Sequence, residues 1–389
     1  MIHGLAILIF LRPYICSLIQ PGRSLLYTTI LFGFLIIWMG SRRTSLPEKS
    51  ILTATAVFTG ILAISAFISG SHLSAAMNLS QYMSGILLFM LCRALPHDHA
   101  KRIFNVIITA GITISLIGLY QFFFGFQDTL EFLRSLKTND LLITQEIQQK
   151  RIYAVFITPN ILGCYLAMLL PLTLTLRNKI WVLPLAFALL LTQSVGTFMT
   201  LLFMFPFYAY QRRLYNPAIF GIFAVIIFTG AGFIFWRTQP HTVIFNLGHS
   251  IDMRWQYWKE TWTLIKTHPL IGTGIGNFDI PSVRYSHNII LQLWAETGLA
   301  GLLSFLYLLY AILRHGWVSL KTATDPDRST ALLFSAMIFL VNNLIDFSFF
   351  LPEVALIWCV ILGLACNRVA RTDACATPAE NNPVPTKRS

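Results

Sequence analysis

Residues 286–303 read SHNIILQLWAETGLAGLL, a short polar step followed directly by a long apolar segment. About 20 predominantly apolar residues in a helix span the hydrocarbon core of a bilayer, so the segment predicts a membrane-spanning helix. His287 then lies where that helix meets water. Because an imidazole with its ordinary pKa of about 6.5 exchanges a proton near neutrality, His287 is the first candidate for acid–base chemistry.

The composition of the whole chain indicates many such helices. Hydrophobic residues make up 56% of the 389 residues and charged residues only 11%, whereas soluble domains average about 25% charged residues. The formal net charge is +12, but the basic residues lie mainly in short loops between apolar runs, which is typical of cytoplasmic loops in membrane proteins. We therefore predict a polytopic membrane protein that lies in a lipid bilayer and binds no nucleic acid.

The six cysteines lie in apolar runs or in the C-terminal tail, and none forms a C-x-x-C pair or a metal-ligand spacing. The predicted outer loops also lack a clustered set of Asp, Glu and His side chains. We therefore predict no disulfide framework, no metal site and no cofactor.

Apolar runs of suitable length predict about twelve membrane spans and a single transmembrane domain over residues 1–371. Both termini are expected in the cytoplasm, and the polar, proline-containing segment 372–389 is expected to be a disordered cytoplasmic tail. The first span is the least regular, because it contains Arg12 and Pro13. The predicted spans are 2–19, 26–40, 51–69, 78–95, 103–124, 152–175, 181–193, 197–210, 217–236, 287–313, 330–349 and 353–370.

The run from Trp181 to Tyr210 is divided in this scheme. As one helix it would be about 45 Å long at roughly 1.5 Å per residue, and basic residues flank it on both sides. Both flanks are expected in the cytoplasm, which requires an even number of crossings. We predict a short hairpin with a break at 193–196, at membrane depth and lining a cavity.

The segments outside the membrane are expected to be about 125–151 and 237–286. Within the larger of these loops, 250–266 is predicted to be an amphipathic helix that lies on the outer leaflet or caps the bundle. Its apolar stripe recurs at spacings of three and four and consists of Ile251, Trp255, Trp258, Trp262 and Ile265.

The stretch 286–303 resembles the C-terminal signature of the O-antigen ligase and polymerase superfamily, H-N-x-x-L-x-x-x-x-E-x-G-x-x-G-L. Members of this superfamily are membrane enzymes that move lipid-linked glycans. The resemblance covers about 150–305. It includes R-x-x-x-W at Arg254, P-L-x-G-x-G-x-x-x-F at 269–278, and R-x-x-G-x-F-x-N-P-N at 151–160, where two residues depart from the family pattern.

The resemblance implies an all-α, GT-C-like glycosyltransferase of the bacterial inner membrane. It implies transfer of a glycan from undecaprenyl diphosphate to an acceptor hydroxyl, as on lipid A–core, at the periplasmic face. The transfer would be inverting and metal-independent. A polymerase that extends a lipid-linked chain with the same parts is the first alternative. A non-catalytic membrane transporter is the second. The modest length of the chain favours the ligase slightly.

The resemblance also implies roles for individual residues. His287 would be the base that deprotonates the acceptor hydroxyl. Arg254 would bind the diphosphate, since a guanidinium forms two parallel hydrogen bonds to phosphate oxygens, and Arg284 or Arg151 would supply a second cation. Arg284 is expected to share a helix face with His287, three residues away.

Two asparagines complete the predicted site. Asn160 follows a proline early in a predicted span, which is typical of a residue that lines a cavity. Asn288 is expected to orient either the helix start or the acceptor.

One position departs from the family. Residues 192–196 resemble the family element T-x-S-R-G, but Val195 stands where an arginine is usual. In the ligases that arginine is a second diphosphate ligand, so Arg151, Arg237 or Arg284 would have to replace it.

Two further features are expected to be structural. Glu296 lies about 13 Å along the helix from His287, too far to orient it, and is expected to face Asn342 or Asn343. Three glycines at alternate positions in 272–276 are expected to form a tight turn, not a nucleotide site, because no strand is predicted before them.

Overall fold

The computed structural model describes residues 1–41, 47–128, 150–212, 240–321 and 323–367, with the isolated residues 224, 228 and 232. The predicted span 217–236 and the predicted tail 372–389 lie outside these residues, apart from the three isolated ones. The same holds for Arg237 and for most of the predicted outer loop 125–151.

The described part of the chain is helical. A π-helical turn at Gln121–Gly125 extends α5, and three-residue 3₁₀ turns occur at Arg12–Tyr14, Lys179–Trp181 and Ser348–Phe350. The α-helices are α1 (Ile2–Leu11), α2 (Pro21–Ser41), α3 (Lys49–Ile68), α4 (His72–Arg93), α5 (His97–Tyr120), α6 (Pro159–Thr173), α7 (Val182–Thr192), α8 (Val195–Gln211), α9 (Pro240–Thr267), α10 (Ile289–Leu320), α11 (Pro326–Asn342) and α12 (Pro352–Ala365).

Five of the described helices are long and apolar enough to cross a membrane: α2, α3, α4, α5 with its continuation to Asp128, and α10. Shorter apolar helices accompany them, among them α6 and α12. Many of their large apolar side chains are exposed on the outside of the bundle, such as Phe67 and Ile37. These features agree with the predicted polytopic membrane protein.

The predicted break near 193–196 is confirmed. Helix α7 ends at Thr192, Gln193 adopts a left-handed conformation with φ of 52°, and Ser194 is extended before α8 begins. Two other predicted spans differ at their starts. Residues 151–158 are irregular before α6, whose first turn is capped by the Thr158 hydroxyl, and α10 begins at Ile289.

The N-terminal run differs from one continuous span. Helix α1 ends at Leu11, and the buried Arg12 forms an ion pair with Glu353, 3.6 Å away at the start of α12. Arg12 also donates hydrogen bonds to the carbonyl of Ile15 at 2.7 Å and to the hydroxyl of Ser24 at 3.0 Å. A buried charge requires such partners. Here the contacts connect the 3₁₀ turn after α1 to α2 and α12.

The three glycines of 272–276 form the predicted turn, with φ of 77°, 94° and 71°. The turn lies against a break in α10 at Gly298, whose φ of 70° and ψ of −178° interrupt the helix. Backbone hydrogen bonds join the two segments, from Thr273 N to Ala295 O and from Gly274 N to Glu296 O, both at 2.9 Å. The glycine turn is therefore hydrogen-bonded directly to the backbone of α10.

Glu296 has a structural role in this arrangement. Its carboxylate accepts hydrogen bonds from the backbone N–H of Gly276 at 3.1 Å and from Gln292 at 3.0 Å. The predicted orientation toward Asn342 or Asn343 is wrong, because the buried carboxylate is satisfied by the glycine turn instead.

Candidate functional site

His287 lies in the short connection before α10, where its backbone is left-handed with φ of 55°. Its imidazole stacks on Tyr257 of α9, with ring centroids 5.6 Å apart and an interplanar angle of 26°. The ring of Phe347 packs against it in a T-shaped arrangement, with centroids 4.6 Å apart. Aromatic contacts of this kind favour one orientation of a ring, so the imidazole is held between two elements distant in sequence.

Asn288 caps the helix that follows. Its side-chain oxygen accepts hydrogen bonds from the backbone N–H groups of Ile290 at 2.9 Å and Leu291 at 3.0 Å. Its side-chain nitrogen donates to the carbonyl of Leu344 at 2.9 Å. Of the two predicted roles, these contacts favour orientation of the helix start, as an asparagine N-cap does.

Arg254 reaches the same region from α9. Its Nε donates to the carbonyl of Ile345 at 3.1 Å, and Nη1 donates to the backbone carbonyl and hydroxyl of Ser250. Nη2 makes no hydrogen bond with the described residues. The half-buried guanidinium is therefore fixed on one side and keeps donors for a ligand on the other.

The connection after α11, residues 343–347, joins these elements. Phe347 contributes the ring beside His287, and three successive carbonyls accept hydrogen bonds from the neighbouring segments. In order, Asn343 accepts from Ile289 N at 2.9 Å, Leu344 from Asn288 Nδ2, and Ile345 from Arg254 Nε. The 343–347 connection thus brings His287 and Arg254 together.

Burial lowers the pKa of His287 to about 4, and the positive charge of Arg254 adds to this effect. The imidazole is therefore neutral near pH 7, which is the form that can accept a proton. Nδ1 is buried, and neither ring nitrogen hydrogen-bonds to a described residue. The ring is held by packing rather than by a carboxylate.

Two polar groups beside Arg254 were not among the predicted site residues. Asp346 is buried, with Oδ2 accepting a hydrogen bond from the Ser348 hydroxyl at 2.6 Å and Oδ1 lacking a described partner. Burial raises the pKa of its carboxyl group, and the charge of Arg254 opposes that rise. The indole Nε1 of Trp258 is likewise buried without a described partner. Unsatisfied buried groups are uncommon in folded proteins. Asp346 is close enough to Arg254 to interact with its charge, and Trp258 follows Arg254 by four residues on the same face of α9.

Arg151 and Asn160 form a second part of the candidate site. Nη2 of Arg151 donates to the side-chain oxygen of Asn160 at 3.0 Å, and its Nε donates to the carbonyl of Thr192 at 3.1 Å. The start of α6 is thereby joined to the end of α7. Arg151 thus contacts the last residue of α7, which directly precedes the break and lies three residues before Val195.

The break also packs against the 343–347 connection. A Cβ atom at Gly196 would lie 2.8 Å from the side chain of Ile345, so this side chain packs directly on the backbone of Gly196. Asn342 adds a hydrogen bond to the Thr197 hydroxyl at 3.2 Å. The group of Arg151 and Asn160 therefore lies next to the group of Arg254 and the 343–347 connection, at the start of α8.

Arg284 is placed differently from its prediction. Helix α10 begins at Ile289, so Arg284 and His287 both precede it and have no shared helix face. The exposed guanidinium lies over the ring of Tyr285, 5.8 Å from its centroid, and lines a polar cavity with residues of α2 and α4. No described contact joins Arg284 to His287 or Arg254.

The helix predicted at 250–266 is present and is longer than predicted, but the apolar side chains of its predicted stripe do not face one way. Ile251 and Trp255 are exposed, at 63% and 56%, and Trp262 is exposed as well, whereas Ile265 is buried. The face toward the bundle carries Arg254 and Tyr257. The spacing of three between these two residues was the available signal for Tyr257, since residues three apart share a helix face.

The O-antigen ligase family model matches residues 180–306 of the chain. No curated protein shows a significant match to it. The matched range contains the break between α7 and α8, the glycine turn, and both Arg254 and His287. Over this range the chain is similar to the O-antigen ligase family.

Proposed function

We propose that this protein is an inverting, metal-independent glycosyltransferase that moves a glycan from undecaprenyl diphosphate to an acceptor hydroxyl, with lipid A–core as the acceptor. The observation that carries this proposal is the pairing of a neutral imidazole, on His287, with a guanidinium that keeps free donors, on Arg254. A base and an anion ligand held side by side are what such a transfer needs.

The reaction follows from these two groups. His287 takes the proton of the acceptor hydroxyl as its oxygen attacks the anomeric carbon of the donor sugar. The bond from that carbon to the diphosphate oxygen breaks on the opposite face, and undecaprenyl diphosphate leaves with the electron pair. Arg254 offsets the charge that develops on the leaving group. The imidazolium then returns its proton to solvent.

Arg151 is the better candidate for the second diphosphate ligand. It contacts the backbone of the break, where Val195 replaces the usual arginine, and it lies with Asn160 in the group that meets Arg254 at the start of α8. Arg284 borders a separate cavity. We therefore place the diphosphate between Arg254 and Arg151, with Asn160 lining the same space.

The membrane orientation supports an outer site. With twelve crossings of one transmembrane domain, 1–371, and both termini in the cytoplasm, the starts of α2, α4, α6, α8, α10 and α12 all lie on the periplasmic side of the inner membrane. Arg151, Asn160 and His287 lie at or just before two of these starts, and Arg254 reaches the same region from α9. We retain the GT-C-like arrangement, the loop 237–286 outside and a cytoplasmic tail at 372–389 as parts of the proposal.

The test is reconstitution of the purified protein with an undecaprenyl-diphosphate oligosaccharide and lipid A–core, with products followed by mass spectrometry. His287→Ala is compared with wild type, and His268→Ala, at an exposed histidine, is the matched control. Glycosylated core made by wild type and the control but not by His287→Ala is the expected result. Longer lipid-linked glycan without modified core would identify a polymerase.

A transporter is the remaining alternative. Two results together would identify the protein as a transporter and not an enzyme. Folded wild type would transfer no glycan to any acceptor, and donor-lipid or glycan flux would continue in His287→Ala.

A further inference from the structure

A polar cavity lies beside the candidate site, and the diphosphate ligands do not use it. It is bounded by the starts of α2 and α4 and by the segment before α10, and we call it the Tyr285 cavity. Its lining includes Ser74, Asn78, Gln81, Arg284 and Tyr285.

The amide side chains of the Tyr285 cavity have unused acceptors. The Asn78 nitrogen donates to the carbonyl of Ser74 at 2.9 Å, and the Gln81 nitrogen donates to the carbonyl of Phe350 at 3.4 Å. Their side-chain oxygens accept no hydrogen bond from the described residues. Both oxygens can therefore accept from a ligand.

Arg284 and Tyr285 complete this set of groups. The exposed Arg284 supplies donors. The Tyr285 ring adds an aromatic edge, since Phe347 stacks on one of its faces and the Arg284 guanidinium lies over the ring. A ligand that suits the cavity carries many groups that both donate and accept hydrogen bonds, together with apolar ring faces that can pack on an aromatic side chain. A sugar has both features, whereas a hydrocarbon chain would leave the amide oxygens unpaired at a cost.

The cavity is adjacent to the proposed base. The ring of Tyr285 stacks on Phe347 with centroids 4.9 Å apart and an interplanar angle of 12°. The centroid of Phe347 lies 4.6 Å from that of the His287 imidazole, in a T-shaped arrangement. Tyr285 also precedes His287 by only two residues, a chain distance of at most about 7 Å. Arg254 reaches His287 from a different element, α9, whose Tyr257 stacks on the imidazole.

We propose that the Tyr285 cavity is the subsite for the acceptor glycan. This inference rests on the proposed function and adds to it the location of the second substrate. Asn78 and Gln81 accept hydrogen bonds from sugar hydroxyls, a sugar ring packs against Tyr285, and Arg284 donates to ring or substituent oxygens. The acceptor hydroxyl then extends past Phe347 to His287. Arg284 therefore serves the acceptor rather than the diphosphate.

The test separates the two substrates kinetically. Asn78→Ala, Gln81→Ala and Arg284→Ala are each expected to raise the KM for the acceptor about fivefold, as the loss of one hydrogen bond does. The KM for the donor, and kcat at saturating acceptor, should stay within about twofold of wild type. Asn105→Ala, at an exposed asparagine of α5 outside the cavity, is the matched control and should change neither KM. Arg284→Ala removes an exposed side chain, so its folding is secure.

A second measurement does not depend on turnover. Binding of delipidated core oligosaccharide to the inactive His287→Ala protein should weaken about fivefold when Asn78→Ala is added, and should not change with Asn105→Ala. If wild type transfers glycan but the three cavity variants keep the wild-type acceptor KM, the subsite is wrong while the proposed function stands. If wild type transfers nothing, the proposed function fails. If the affinity for the oligosaccharide is also unchanged by Asn78→Ala, the proposed subsite is wrong as well.

Discussion

The Nε atom of Arg254 donates a hydrogen bond to the carbonyl oxygen of Ile345 at 3.1 Å, across 91 residues of sequence. This contact fixes one edge of the guanidinium, while Nη2 makes no hydrogen bond with the described residues. A lysine would keep the charge at this position but would lose the planar arrangement of donors that binds two phosphate oxygens at once.

Arg254→Lys is therefore expected to reduce kcat/KM for the donor by roughly 10- to 100-fold, the range for lost hydrogen bonds to a charged group. The measurement is steady-state transfer by folded protein, checked by its melting temperature in detergent. Arg314→Lys, at an exposed arginine of α10, is the matched control and should retain wild-type turnover. Near-wild-type transfer by Arg254→Lys would remove Arg254 from the diphosphate site.

The pH dependence of the reaction should reflect the environment of His287. Burial and the charge of Arg254 lower its pKa to about 4, so the neutral, proton-accepting form persists well below pH 6.5. We expect kcat/KM to stay level from pH 8 down to about 5.5 and to fall as pH approaches the lowered pKa, because kcat/KM reports the free enzyme.

Arg254→Gln should move the acid limb of this profile slightly upward, because it removes the smaller of the two causes of the shift. A profile already falling near pH 6.5 in wild type would mean that the imidazole titrates like an exposed one. That result would contradict the enclosed environment between Tyr257 and Phe347.

Val195 offers a gain-of-function test. It is half-buried at the start of α8, and its place in the sequence is the one where the family carries an arginine. Val195→Arg should fold and lower the KM for the donor, because an added guanidinium at the break would supplement Arg151. Val195→Leu, of similar size without the charge, should leave the donor KM unchanged. Loss of folded protein with Val195→Arg alone would place this side chain against lipid or core.

The sequence predicted those parts of the site that depend on local signals. Basic residues on both flanks of 181–210 required a break, and the structure has one at Gln193. Alternate glycines predicted the turn at 272–276. Such features follow from short-range chemistry: charge near a membrane surface, or φ angles that glycine adopts readily.

The remaining parts depend on contacts between distant segments. Nothing in the local pattern indicates that the 343–347 connection would receive Arg254 and pack Phe347 on His287. The sequence also did not determine which way the apolar stripe of α9 faces, because apolar residues of a membrane protein can face lipid as well as the core. The prediction that Arg284 and His287 share a helix face was wrong because α10 begins two residues after His287. Residues three apart share a face only within a helix, and both residues precede it.

Removing one partner of the ion pair between Arg12 and Glu353 should destabilise the N-terminal region. Each side chain is only 1% exposed, and removing one member leaves the other as an uncompensated buried charge. Glu353→Ala is expected to cost about 3–5 kcal/mol, measured as reduced folded yield and melting temperature in detergent. Asp279→Ala, at an exposed carboxylate, should have no measurable effect.

The double variant Arg12→Leu with Glu353→Leu should recover part of this loss, since neither charge is then left alone. An unchanged melting temperature in Glu353→Ala would show that water reaches Arg12 in the membrane-embedded protein. The buried pair would then contribute little.

The break in α10 at Gly298 should tolerate no side chain. Its φ of 70° with ψ of −178° is a conformation available to glycine almost alone, and a Cβ atom there would lie 2.1 Å from the carbonyl oxygen of Leu270. Gly298→Ala is expected to destabilise the protein by at least about 2 kcal/mol and to displace the glycine turn. Gly60→Ala, in the helical α3 where an added Cβ would meet no atom within 4 Å, should be neutral or slightly stabilising. Equal melting temperatures for the two variants would mean that α10 runs through Gly298 as a regular helix, and that the turn at 272–276 does not pack against it.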